Sequence, residues 1–191
     1  MRDSPLRRRA LTVGGALLVA AVAASAIPLA AIPVAAQQRG TVDLGAFLSY
    51  NAFALASDMR SAPGAGIRAA GYLSPRWAAE FEANWGTARR PNGLADRAFR
   101  FLDGRVLFVP ARVGRASLLL GAGAGYARTG EAAGRPFGPH AMVAGRIALT
   151  AGTALRLDYT RYYMGGSEHG SLKAGASFLL DHDRTHHKGT P

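Results

Sequence analysis

The sequence predicts an all-β chain: an eight-stranded antiparallel up-and-down barrel of the transmembrane type. Three observations carry that expectation. After Gln37 the apolar residues recur with a period of two, and no stretch holds a helical period. The connections between alternating segments are short and long in turn, as in a meander. Charges within the segments fall on the face opposite the apolar one.

Residues 1–36 read as a helical signal peptide. Arg2, Arg7, Arg8 and Arg9 form a positive start, and Leu11 to Ala36 carries no charge. Val34 and Ala36 suit cleavage before Gln37, and Ala24-Ser25-Ala26 offers a second site. A membrane anchor is the alternative, and Pro28 and Pro33 weigh against a continuous helix there. Residues 37–180 form the barrel domain and 181–191 a polar tail. Of the 191 residues, 23 are basic and 12 acidic, a formal +11. Cleavage after Ala36 leaves +8. The absence of cysteine excludes disulfides, thiolate metal sites and a cysteine nucleophile.

The eight segments follow in order. Strand one turns Val42, Leu44, Ala46, Leu48 and Tyr50 to one face and Asp43 to the other. Strand two, about 64–74, sets Ile67 and Leu73 against Arg68. Strand three sets Trp77, Phe81 and Trp85 against Glu80 and Glu82. Strand four, about 100–109, sets Leu102, Val106 and Phe108 against Asp103 and Arg105. Strand five alternates Leu118, Leu120, Ala122, Ala124 and Tyr126 with Gly121, Gly123 and Gly125. Strand six sets Val143 and Ile147 against Met142 and Arg146. Strand seven, about 154–163, sets Leu155, Leu157 and Tyr159 against Arg156 and Asp158. Strand eight sets Leu172, Phe178 and Leu180 against Ser171 and Lys173. Turns are expected at Ser74-Pro75-Arg76, Pro110 to Arg115 and Ala151-Gly152-Thr153, and longer loops at about 52–63, 88–99, 129–138 and 164–170.

A strand of about 10 residues tilted near 40° crosses roughly 25 Å, the height of an outer-membrane apolar band. The apolar face is therefore expected to meet lipid. The ten charges Asp43, Arg68, Glu80, Glu82, Asp103, Arg105, Arg146, Arg156, Asp158 and Lys173 are then expected in the lumen, five of each sign. Arg100 and Arg161 break this pattern and are placed near the loop-side rim. Trp77 and Phe108 near the turns, with Tyr50, Trp85, Tyr126 and Tyr159 near the loops, are expected to form aromatic girdles at headgroup level. A soluble barrel would reverse the faces, which leaves a periplasmic ligand-binding barrel as one alternative.

The sequence resembles the small outer-membrane β-barrel family of Gram-negative bacteria, the OmpA/OmpX-like eight-stranded barrels, over about 41–180. The resemblance rests on Gly71-Tyr72-Leu73-Ser74-Pro75-Arg76-Trp77, Gly121-Ala122-Gly123-Ala124-Gly125-Tyr126 and Leu157-Asp158-Tyr159-Thr160-Arg161-Tyr162. Lys173, Gly175, Phe178 and Leu180 resemble the family's barrel-assembly signal, with Leu180 where an aromatic often stands. The resemblance implies the cell outer membrane, with outer-membrane lipid, lipopolysaccharide and the barrel-assembly machinery as partners. A structural or surface-interaction role through the extracellular loops is expected, not a wide pore. Nucleic acid is not expected as a partner, and the expected state is a monomer.

Candidate chemistry is sparse. His169-Gly170-Ser171 is similar to the His-x-Ser of lipid A deacylases, but Ser171 shares the inward face with Lys173. A lipid A-modifying enzyme is the second alternative, and no enzyme is the expectation. Glu80 and Glu82 lie on one face of one strand, where a glycosidase pair would flank a cleft. His182, His186 and His187 with Asp181 and Asp183 sit in the tail, and no metal or cofactor is expected. Arg60, Arg89, Arg90, Arg97, Arg128 and Arg135 on the loop side suit phosphate groups of lipopolysaccharide.

Overall fold

The computed structural model describes residues 39–54, 59–91, 94–129, 137–164 and 167–180. The signal peptide and the tail, with its histidines, lie outside the described residues. The eight strands are β1 (Val42–Ala52), β2 (Ala62–Ser74), β3 (Trp77–Ala88), β4 (Arg97–Val113), β5 (Ala116–Thr129), β6 (Phe137–Ala148), β7 (Thr153–Met164) and β8 (Ser167–Leu180). Each pairs antiparallel with the next, and β8 pairs with β1 to close the barrel. Closure removes the exposed edge that an open sheet would leave.

Burial alternates residue by residue along the strands. Leu48, Ile67, Phe81, Val106, Leu155 and Phe178 point outward and are exposed. The lumen holds two apolar layers that bracket its charges. On the loop side Phe99, Phe101, Tyr162, Met59 and Met164 pack together with Phe53 against them. On the turn side Tyr72, Leu107, Val109, Leu119 and Met142 form the second layer, with Leu179.

The turns follow local chemistry. Pro75 and Arg76 join β2 to β3, and the Ser74 hydroxyl accepts from the Arg76 and Trp77 amides at 3.3 and 3.2 Å. Gly114 opens the two-residue turn between β4 and β5 at φ 56°, a conformation that favours glycine. The register slips between Phe108 and Ala111, around Pro110, which has no amide to give the ladder.

Three extents differ from the sequence expectation. β4 reaches from Arg97 to Val113, so Pro110 lies within a bulged strand where a turn was expected. β6 starts at Phe137. β8 starts at Ser167, because Tyr163 pairs with Glu168 and Met164 with Ser167. Met164 and residues 167–170 of the expected loop are therefore strand. In each case ladder pairing carries residues that read as loop by composition.

Candidate functional site

The barrel wall presents two chemically opposite faces, and the inner one is the more unusual. The ten charges expected in the lumen all project inward and are buried, each at most 5% exposed. Uncompensated charges there would be untenable, so their partners decide whether the arrangement stands.

Most of the ion pairs link into one ladder, and Arg146 with Asp43 forms a separate pair. Near the turns Arg146 lies 3.4 Å from Asp43. Asp158 takes Arg68 at 2.6 Å and Arg156 at 3.2 Å. Arg156 also forks onto both oxygens of Glu80, with its Nη2 at 3.0 Å from Oε1. Arg105 bridges Glu80 at 3.0 Å and Glu82 at 2.5 Å. Lys173 pairs with Glu82 and donates to Thr160 at 3.1 Å and to the Tyr162 hydroxyl at 3.0 Å. Tyr162 in turn donates to Asp103 at 2.8 Å. The guanidinium fork matches a carboxylate geometrically, which suits arginine to this crowded role.

A neutral polar layer accompanies the ladder. Ser49 donates to Asn84, Asn84 to Asn51, and Ser171 to Asn51, at 2.8–2.9 Å. The sequence by itself does not assemble this layer. Its signal was parity: Ser49 and Asn51 share the face of Asp43, and Asn84 that of Glu80 and Glu82. His140 is buried among these groups, with Nδ1 4.0 Å from Asp103 and its ring 5.4 Å from that of Tyr162.

Glycine makes the room. Gly121, Gly123 and Gly125 of β5 stand opposite Leu107, Arg105 and Asp103 of β4. A Cβ on Gly123 would meet the Arg105 side chain and the Gly104 carbonyl. A barrel of eight strands has an interior that side chains just fill, so a long side chain on one strand needs a missing one on its neighbour.

The groups that the sequence offered for enzymatic chemistry are engaged in other contacts. Ser171 donates to Asn51 inside the barrel. The His169 Nδ1 accepts from the Ala54 amide at 3.2 Å. Glu80 and Glu82 are both held in ion pairs. No group of three or more metal-ligating side chains occurs among the described residues.

The outer face is organised in rows set by the register. Trp77 opposes Phe108, with ring centroids 4.7 Å apart. Eight residues on along β3, Trp85 opposes Arg100, and Arg100 opposes Arg128. That interval is about 26 Å along the strand, or about 20 Å along the axis at a tilt of about 40°. Tyr50, Trp77, Trp85 and Tyr126 are exposed on this face, and Phe108 and Tyr159 are partly covered. Phe137 and Tyr163 join the exposed aromatics at the loop end. Arg161 pairs with Glu168 and lies over the Tyr163 ring.

The residues of the assembly-like pattern divide between the faces. Lys173 is buried on Glu82, and Gly175 gives space to Phe47 of β1. Phe178 and Leu180 face outward, and Leu180 closes the β8–β1 seam opposite Val42.

No protein-family model matches the sequence. No curated protein matches it either. Solved structures do match in shape. The outer membrane protein OprG from Pseudomonas aeruginosa superposes with a TM-score of 0.56 at 10% identity, covering 75% of this chain and 98% of that one. Neisserial surface protein A gives 0.54 at 15% identity, covering 73% and 96%. Ail, the attachment invasion locus protein of Yersinia pestis, gives 0.51 at 10% identity, covering 75% and 100%. With its closed eight-stranded wall, apolar outside and charged inside, the chain has the fold of the small outer-membrane β-barrels.

Proposed function

We propose that this protein is a resident of the cell outer membrane, exported through its cleaved amino-terminal signal. It inserts as a barrel and acts structurally or through surface contacts made by its extracellular loops. The observation that carries this reading is the inversion of the two faces. A water-soluble barrel would put Leu48, Ile67, Phe81 and Phe178 inside and the ion-pair ladder outside. Here an outer coat of exposed aliphatics and aromatics surrounds a buried interior of ion-paired side chains.

The same interior supports a closed barrel in place of a wide pore. The ladder and the two apolar layers occupy the lumen. Phe178 and Leu180, at the end of the closing strand, are the groups offered to the assembly machinery. The neighbours in shape include outer-membrane proteins, which agrees with this placement.

Membrane fractionation of cells expressing the full chain tests the reading. The protein is expected with the outer membrane, and detergent-folded samples are expected to migrate faster in gels before boiling than after. Recovery of the barrel as a soluble periplasmic protein without detergent would overturn it.

A further inference from the structure

Arg100 and Arg128 are directly opposite each other on β4 and β5, and both point outward. Residues so placed have Cβ atoms about 4.5–5.5 Å apart, and like charges there destabilise a sheet. Trp85 completes the row on β3, and exposed Arg89 follows the end of that strand. Neither Arg100 nor Arg128 has an acidic partner among the described residues; Glu168, the acid of the β7–β8 edge, is taken by Arg161.

The row also has a height. It lies at the loop-side border of the apolar coat, one row beyond Leu102, Tyr126 and Phe137. A guanidinium at that level is above hydrocarbon and level with headgroups. An anion held between the two guanidinia would cancel their repulsion, and each fork matches phosphate oxygens.

We infer that Arg100 and Arg128, with Trp85 beside them, form a docking site for a phosphate of lipid A in the outer leaflet. The inference rests on the membrane placement proposed above. The lipid's sugar lies along the Trp85 face while its acyl chains descend the outer wall over Phe81, Gly104 and Ala124. Lipid A is the favoured source because the row borders the loop side, where the outer leaflet meets the barrel. The sequence alone did not assemble this site, since only the register sets Arg128 against Arg100.

The test uses the full chain folded in phosphatidylcholine nanodiscs carrying one added probe. The probes are bisphosphorylated lipid A, monophosphorylated lipid A and phosphatidylglycerol. Native mass spectrometry reads bound probe for the wild type, Arg100→Gln, Arg128→Gln, the double variant and Arg76→Gln at the turn end. Each of the first two changes is expected to weaken bisphosphorylated lipid A about fivefold, and the double variant about 25-fold. Arg76→Gln is expected to leave binding unchanged. In detergent without lipid A, Arg128→Gln is expected to stabilise the barrel, since it removes a like-charge pair.

Unchanged lipid A binding in the double variant overturns the site. Equal loss with Arg76→Gln overturns it in favour of general charge attraction. Phosphatidylglycerol bound as tightly as lipid A overturns the assigned source. A protein that fractionates with membranes yet fails these arms sinks the inference alone, whereas a soluble protein sinks the membrane reading first.

Discussion

Arg68 Nη1 lies 2.6 Å from Asp158 Oδ2, a contact between residues 90 positions apart on strands that do not neighbour each other. The pair ties β2 to β7 through the lumen while the wall closes behind it through β1 and β8. Breaking such a buried pair strands a charge at a cost of about 3–5 kcal/mol. Asp158→Asn is therefore expected to lower the urea midpoint of the folded barrel markedly. Replacing Arg68 and Asp158 together with leucines is expected to recover much of that loss. A double variant no better than the single one would show that the pair does not act as a unit.

Space in the lumen gives a second expectation. Gly66 on β2 faces Phe47 of β1, and an added Cβ would meet the Phe47 ring and the Ala83 carbonyl. Gly66→Val is expected to destabilise by about 1–3 kcal/mol through overpacking. Gly71, whose added Cβ meets open space, is expected to accept alanine with little change in the same unfolding measurement.

Depth on the outer face gives a third. Phe81 is 57% exposed and lies between the Trp77 and Trp85 rows. Phe81→Arg is expected to cost about 2–4 kcal/mol on folding into lipid vesicles, as for an arginine near the midplane. Thr87→Arg, beyond the Trp85 row, is expected to cost no more than about 1 kcal/mol. Equal costs at the two positions would contradict the proposed placement of the barrel in a bilayer.

Conductance tests the proposed closed interior. Single barrels in a planar bilayer are expected to show no steady ion current, because the lumen is filled by paired charges between two apolar layers. A stable open level in the wild type would require the ladder to part.

Ser171 tests the lipid A deacylase alternative. Its hydroxyl is spent on Asn51 inside the barrel. Ser171→Ala is expected to leave the lipid A composition of expressing cells unchanged, as read by mass spectrometry, and to cost only about 1 kcal/mol of stability.

Much of this was legible in the sequence because a strand has a period of two. That period alone groups Glu80 with Glu82 on one face and Trp77, Phe81 and Trp85 on the other. Pro75 and Gly114 likewise announce their turns through fixed backbone preferences. Strand ends were less legible, since hydrogen-bond pairing, not hydropathy, extends β8 back to Ser167.

The sequence by itself determined which residues share a face, how many strands the chain makes and that the apolar face is continuous. It left the partners undefined, because periodicity contains no register. Only the tertiary structure decided that Arg105 bridges Glu80 and Glu82, that Lys173 meets Glu82, and that Arg128 stands beside Arg100. Register and closure bring these groups together, and in a narrow barrel the side chain missing at Gly123 is as decisive as the one present at Arg105.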